Sequence, residues 1–401
     1  MKNFYLATLA VIATSLGTAI LVLPMTLATT GFILSIFLLL SIWAIMSYTS
    51  LLFLEITLWF PPGTNYMTMG IKILGRGIAV ILWCLYLLLM YLLLSAYLTS
   101  ICNMIINLLS DYPHLHQYAP WILVGVGLLG VLIIYSLKIR MYYLTAIVVL
   151  LFLGSFALFT TLMTTHLQAV FLTGGSFKFM LIAVPFILTA FSYQYIIPQI
   201  RDGVVGEQFK TARRIIFFGG LFLLLVYLVW VTIIFGFFPL DRAHGFSSIF
   251  LVNHPSSVLI DQVQWLTGNS FLANCCRFLC FFAVGASFLS IAHNVYHFAE
   301  NSFSIKQNVP GKIGLLIFTF LPPICYIFLF PKKLVFAFNT AGILVTLLYI
   351  IVPALMVWIA RYIKCFAFGY RVKGGCVGLL VVLLIGCGIM YSELRTVVSY
   401  F

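Results

Sequence analysis

Long apolar runs set the first constraint on this chain. Leu87 to Leu94 and Leu221 to Trp230 are apolar on every side, and stretches of this kind recur from end to end. A bilayer interior needs about 20 largely apolar residues per helical crossing, because each main-chain polar group must be bonded within its own segment. Strands of a membrane barrel would alternate apolar and polar residues with a period of two, and these runs do not. The fold class that follows is an all-α integral membrane protein. Composition agrees, with 64% hydrophobic and 7% charged residues, against roughly 45–50% and about 25% for soluble domains.

Polar breaks read against spanning length give eleven transmembrane helices, at about 4–29, 31–58, 77–109, 120–137, 142–164, 178–200, 215–238, 271–299, 312–330, 334–360 and 375–398. The run from Phe4 to Ala28 is longer than the apolar region of a secretory signal and has no small-x-small site closing it, so it is read as the first span. Nine cysteines lie mostly in apolar runs without a zinc-ligand pattern and are read as free thiols. Neither metal nor cofactor is expected.

Basic residues orient the helices, since Lys and Arg are retained on the cytoplasmic side. With the N-terminus cytoplasmic, that side holds Lys2, Lys72, Arg76, Lys138, Arg140, Arg201 and nine more, 15 of the 21. The other face holds Lys178, Arg242, Arg277, Lys332, Lys333 and Arg395, and an odd helix count leaves the C-terminus periplasmic. The net charge of +13 is spread over short loops, so it is a topology signal and no nucleic-acid partner is expected. The longest connection, Pro239 to Ser270, carries Asp241, Arg242, His244, His254 and Asp261 but no strained nucleophile site, and is read as a solvated loop of a protein that is not an enzyme.

Two spans carry polar residues at mid-depth. Span 1 has Thr14, Ser15, Leu16, Gly17 and Thr18, followed by Pro24; span 6 has Pro185, Phe191, Ser192, Tyr193, Gln194, Tyr195 and Pro198. Either patch alone suits close helix packing. Interruptions in two oppositely running helices, five spans apart, are instead the mark of an inverted-repeat carrier with its substrate site at the membrane midplane. Tyr91 on span 3 and Ser287 on span 8 are further candidates to line that site. Ionisable groups at membrane depth make Glu55, His293 and His297 candidates for proton coupling; the two histidines, four apart, share one helix face.

Several strings resemble the hydroxy and aromatic amino acid permease family: Ala13-Thr14-Ser15-Leu16-Gly17 with Leu23-Pro24, the stretch from Trp43 to Glu55, Met90-Tyr91 with Ala96-Tyr97, and Gly369-Tyr370-Arg371-Val372-Lys373-Gly374-Gly375. The likeness covers nearly the whole chain, and the last string is its most specific part. Ala13 and Ala19 stand where that family has glycine, and Ser192 to Tyr195 stand where it has Gly-Phe-His-Gly. The resemblance implies an eleven-helix carrier of the amino acid, polyamine and organocation superfamily in the bacterial inner membrane. It would form a single domain over 1–401, with repeats at about 4–164 and 178–360 and an extra helix at 375–398. The expected function is import of an aromatic amino acid, tyrosine first, by proton symport. The alternatives are a tryptophan or broader neutral amino acid carrier, with sodium in place of protons as the other coupling ion, and a non-transporting scaffold.

Overall fold

The computed structural model describes residues 4–27, 30–64, 66–108, 118–137, 140–168, 180–203, 209–238, 255–303, 305, 308–330, 334–365 and 369–398. The described residues form helices and connecting turns, with no strand. The helices are α1 (Phe4–Leu27), α2 (Phe32–Leu58), α3 (Tyr66–Leu74), α4 (Arg76–Leu108), α5 (Ala119–Leu137) and α6 (Met141–Met163). There follow α7 (Met180–Ala190), α8 (Ile197–Gly203), α9 (Phe209–Phe237), α10 (Pro255–Thr267) and α11 (Ser270–Phe303). The chain closes with α12 (Val309–Leu329), α13 (Leu334–Val345), α14 (Val352–Trp358) and α15 (Gly375–Val398).

Ten spans among the described residues are long and apolar enough to cross a membrane, and they match the second to eleventh expected spans. The protein is therefore a multi-pass membrane protein. α1, the remaining expected span, is a continuous helix of 24 residues, about 36 Å at 1.5 Å per residue. Two short helices were not anticipated. α3 lies between spans 2 and 3, where Gly75, at φ 93°, turns the chain into α4. α10 occupies the second half of the connection read as a loop, and Asp261 on it accepts from the Asn107 amide at 3.3 Å. Asp241, Arg242, His244 and His254 lie outside the described residues.

Burial sorts the spans. The sixth, Met180–Gly203, has 83% of its most apolar window inside the protein, and the last, Gly375–Arg395, only 17%. α7 and α8 therefore run through the middle of the bundle, packed with α1, α2 and α9, while α15 lies at its edge. The long α11 packs on α1, α4 and α6, and so joins the first span to the third and fifth.

One cluster ties the edge to the centre. Glu55 near the end of α2 is fully buried, and Arg361 donates to both of its carboxylate oxygens, through Nε at 2.8 Å and through Nη2. Val372 N–H adds a bond of 2.7 Å to Glu55, and Arg361 also donates to the Val372 carbonyl at 3.2 Å. Beside them Tyr48 donates to the Lys373 carbonyl at 3.0 Å. Any Cβ on Gly374 or Gly378 would fall 2.8 or 2.6 Å from that phenol oxygen, so only glycine admits the contact, and Gly374 further adopts φ 114°. The stretch from Trp43 to Glu55 and the string Gly369 to Gly375 thus meet and fasten the last span to the second.

Removing one partner of a buried, hydrogen-bonded ion pair leaves the other charge uncompensated, at a cost of about 3–5 kcal/mol. Glu55→Ala is expected to lower the thermal unfolding midpoint in detergent markedly, and Glu55→Ala with Arg361→Leu to recover part of the loss. A single variant as stable as the parent would show that the pair does not fasten the helices.

Candidate functional site: a broken helix above a tyrosine-lined cavity

The sixth span breaks where the sequence places the interruption. α7 stops at Ala190, Phe191 to Tyr193 are non-helical, and a 3-10 turn at Gln194–Ile196 leads into α8. Pro198 takes the second position of α8, where its missing N–H costs nothing. The broken main chain is satisfied locally: Phe191 N–H reaches the Ile187 and Leu188 carbonyls at 3.2 Å, and Ser192 N–H the Thr189 carbonyl at 3.3 Å. The Ser192 hydroxyl donates to the same Thr189 carbonyl at 2.7 Å. Gln194 donates through Nε2 to the Met46 carbonyl at 3.3 Å, while its Oε1 is buried without a hydrogen-bond partner.

The first span differs from expectation, because α1 stays helical through Thr14 to Thr18. One rung of its ladder is shared with a neighbour. In a regular α-helix the N–H of residue 17 bonds the carbonyl of residue 13. Here the Ser287 hydroxyl of α11 serves both groups, accepting from Gly17 N–H at 2.8 Å and donating to the Ala13 carbonyl at 2.7 Å. Two further α1 carbonyls face donors on α9: Ser15 lies 2.9 Å from the Tyr227 hydroxyl, and Ile20 accepts from Trp230 Nε1 at 3.1 Å. The same Tyr227 oxygen lies 2.9 Å from the carbonyl of Ala190, the last residue of α7. Alanine at 13 and 19 favours the helix more than glycine would, and inserted side chains rather than unwinding supply the exposed polar groups.

Most of the anticipated residues come together around this contact. Thr14, Ser15 and Leu16 are buried, and the Thr14 hydroxyl donates to the Val11 carbonyl at 2.6 Å. The side chain of Thr18 lies outside the described residues. Gly17 is held close: a Cβ there would fall 2.9 Å from the Tyr97 ring and 3.0 Å from Ser287. The Phe191 ring packs against Tyr227 with centroids 5.1 Å apart, and Tyr193 is buried against Gly220 of α9. Tyr91 does not join them. It turns to α12, donating to the Phe318 carbonyl at 2.8 Å, and Tyr97 takes the place at Gly17.

The three ionisable candidates lie apart from this contact. Glu55 is in the ion pair with Arg361. His293 and His297 form an edge-to-face pair with centroids 4.4 Å apart; His293 also packs on Tyr142, and His297 Nδ1 lies 2.9 Å from Glu300.

A cavity of about 330 Å³ opens at the end of the bundle shared by Gly63, Thr64 and Gly203 and reaches inward to Tyr195, two residues past the break. Tyr66, Tyr86, Tyr142 and Tyr349 line it with Tyr195. Its polar groups form a chain: Tyr142 donates to Gln199 at 3.2 Å, Gln199 to Asn294 at 3.0 Å, and Asn294 to the Tyr86 hydroxyl at 2.7 Å. Asp202 and His297 also line it, so the chamber combines aromatic rings with fixed polar groups, as small-molecule sites do. Sequence reasoning missed Tyr86, Asn294 and Tyr349; their only sequence signal was a polar group at depth in an otherwise apolar span.

The sequence that builds this site has relatives. The family model of the tryptophan/tyrosine permease family matches residues 1–393. The tyrosine-specific transport system 1 of Haemophilus influenzae is 25% identical over 383 residues, covering 95% of this chain and 94% of its own. The tryptophan-specific transport protein of the same organism is 24% identical over 405 residues, covering 97% and 94%. The tyrosine permease of Enterobacter agglomerans is 24% identical over 364 residues, covering 88% and 86%. With the match running through the broken sixth span and the Glu55 cluster alike, the chain belongs to the tryptophan/tyrosine permease family, a family of transport proteins and not of enzymes.

Proposed function

We propose that this protein imports an aromatic amino acid, tyrosine first, across the bacterial inner membrane by proton symport. The observation that carries the reading is the non-helical Phe191 to Tyr193 segment lying beside the Ala13 to Gly17 rung, followed by Gln194, whose Oε1 is buried and unbonded. Interrupted helices offer N–H groups and carbonyls to the charged end of an amino acid. Phe191, Tyr193 and Tyr97 supply an aromatic surround for its ring. Relatives named for tyrosine and for tryptophan both match at about the same identity, in keeping with an aromatic side chain as the common element.

In this reading spans 1–5 and 6–10 form two inverted repeats, with the last span added. The N-terminus is cytoplasmic and the C-terminus periplasmic, as the basic residues suggest. The cavity below Tyr195 is then the cytoplasmic path of release. Alternating access is a rocking of spans 1 and 6 against the rest, biased by substrate and proton.

Purified protein in liposomes is expected to accumulate labelled tyrosine under an inward proton gradient without sodium, and excess tryptophan to compete. Accumulation of tryptophan alone would move the substrate to the indole, and dependence on sodium would move the coupling ion. No accumulation of either amino acid under either gradient would overturn the reading.

Ser287→Ala removes the hydroxyl that Gly17 N–H and the Ala13 carbonyl share and leaves both to the helix. Stability is expected to stay near that of the parent while tyrosine uptake falls by about tenfold, the equivalent of one hydrogen bond, about 1.4 kcal/mol. Gly17→Val drives a side chain into Tyr97 and is expected to abolish uptake. Unchanged uptake in both variants would remove the first span from the site.

A further inference from the structure

Glu393, near the end of α15, is a second buried carboxyl, 2% exposed and outside the cavity. It has none of the support that Glu55 enjoys. Among the described residues no Lys, Arg or His forms an ion pair with it. One carboxyl oxygen, Oε2, lies 2.9 Å from the Thr346 hydroxyl, and the other, Oε1, is buried without a partner. Among the described residues, α7, α13 and α14 bring no titratable group to α15. The π-helical stretch Thr346–Ile351 brings Tyr349, which lines the cavity instead, and α2 meets α15 at Gly378, fifteen residues before Glu393, with Tyr48 and the paired Glu55. On α15 itself Tyr391 and Arg395 are exposed. An unpaired carboxylate in such a place costs several kcal/mol of lost hydration, so the two protonation states of this side chain differ sharply in what they ask of their surroundings.

The contacts leading away from it reach the broken helix. Thr346 Oγ1 lies 3.1 Å from the Gly342 carbonyl as well as 2.9 Å from Glu393. With Glu393 protonated, its O–H donates to the threonine, which donates on to Gly342. With Glu393 ionised, the threonine turns its one proton to the carboxylate, and Gly342 loses a side-chain partner. Gly342 in turn abuts Pro185 of α7, so closely that a Cβ on it would fall 2.7 Å from the proline Cα. Pro185 lies five residues before the end of α7 at Ala190, where the break begins. π-helical turns such as Thr346–Ile351 are often found at functional sites within otherwise regular helices.

We propose that Glu393 is the proton-binding group of the carrier, and that its gain and loss of a proton is relayed through Thr346 and Gly342 to the broken sixth span. The proposal rests on the proton-symport reading above and names its coupling residue. No bond other than O–H changes: a proton enters Glu393 from one side of the membrane and leaves to the other.

The test uses the full protein in liposomes with labelled tyrosine, read two ways: exchange against internal tyrosine without a gradient, and accumulation under an imposed proton gradient. Glu393→Gln is expected to keep exchange, with a rate that no longer varies with pH, and to lose gradient-driven accumulation down to the level of protein-free liposomes. Thr346→Val is expected to weaken the pH dependence while leaving exchange in place. If the parent accumulates tyrosine under the gradient and Glu393→Gln does so equally, the assignment of Glu393 is overturned and symport stands. If the parent itself shows no gradient-driven accumulation, both fall. Should Glu393→Gln lose exchange as well, Glu393→Asp decides: a pH profile displaced from that of the parent supports the assignment, and a superimposable one overturns it.

Discussion

A single phenol oxygen bridges the first and sixth spans at the break. Tyr227 of α9 stands 2.9 Å from the Ser15 carbonyl of α1 and 2.9 Å from the Ala190 carbonyl at which α7 ends. Away from water, each main-chain polar group released from a helix must find a partner or cost several kcal/mol. The sixth span can therefore break only where neighbours supply donors and acceptors. Its own Ser192 serves the Thr189 carbonyl, Tyr227 stands at the Ala190 carbonyl where α7 ends, and past the break the Met46 carbonyl receives the Gln194 amide. Ser287 performs the matching service for the first span at Ala13 and Gly17. The break is a property of four helices rather than of one.

That distribution explains what the sequence could and could not reveal. Hydropathy locates the spans, because lipid leaves few alternatives to a helix of about 20 apolar residues. The break in span 6 is legible too, since Pro185 and Pro198 flank a polar Ser192-Tyr193-Gln194 segment. The first span misleads: Thr14, Ser15 and Gly17 fit an unwound segment and a tightly packed helix equally well, and only the position of Ser287, 270 residues away, decides between them. Tyr91 and Tyr97 sit on one helix, and which of them faces Gly17 depends on the rotation of α4. The cavity brings together spans 2, 3, 5, 6, 8 and 10, so no local string encodes it.

Two buried acidic side chains show how much their surroundings matter. Glu55 is held by Arg361 and the Val372 N–H, and the glycines that follow exist to admit Tyr48 beside it. Such a pair fastens helices and gains little by moving. Glu393 meets one threonine hydroxyl and leaves an oxygen unbonded. The family-like strings around Glu55 mark the fastening, which is why they are recognisable; the carboxyl placed to respond to protons lies outside them, on the most exposed span.

The central claim is that the amino acid is held where the broken sixth span meets the Ala13 to Gly17 rung. A cryo-EM structure of the protein with tyrosine bound tests it most directly. The account predicts the amino acid's charged groups within hydrogen-bond distance of the main chain at Ser15 to Gly17 and Phe191 to Tyr193, with its ring among Phe191, Tyr193 and Tyr97. Tyrosine bound elsewhere, with both segments untouched and unchanged, would contradict it.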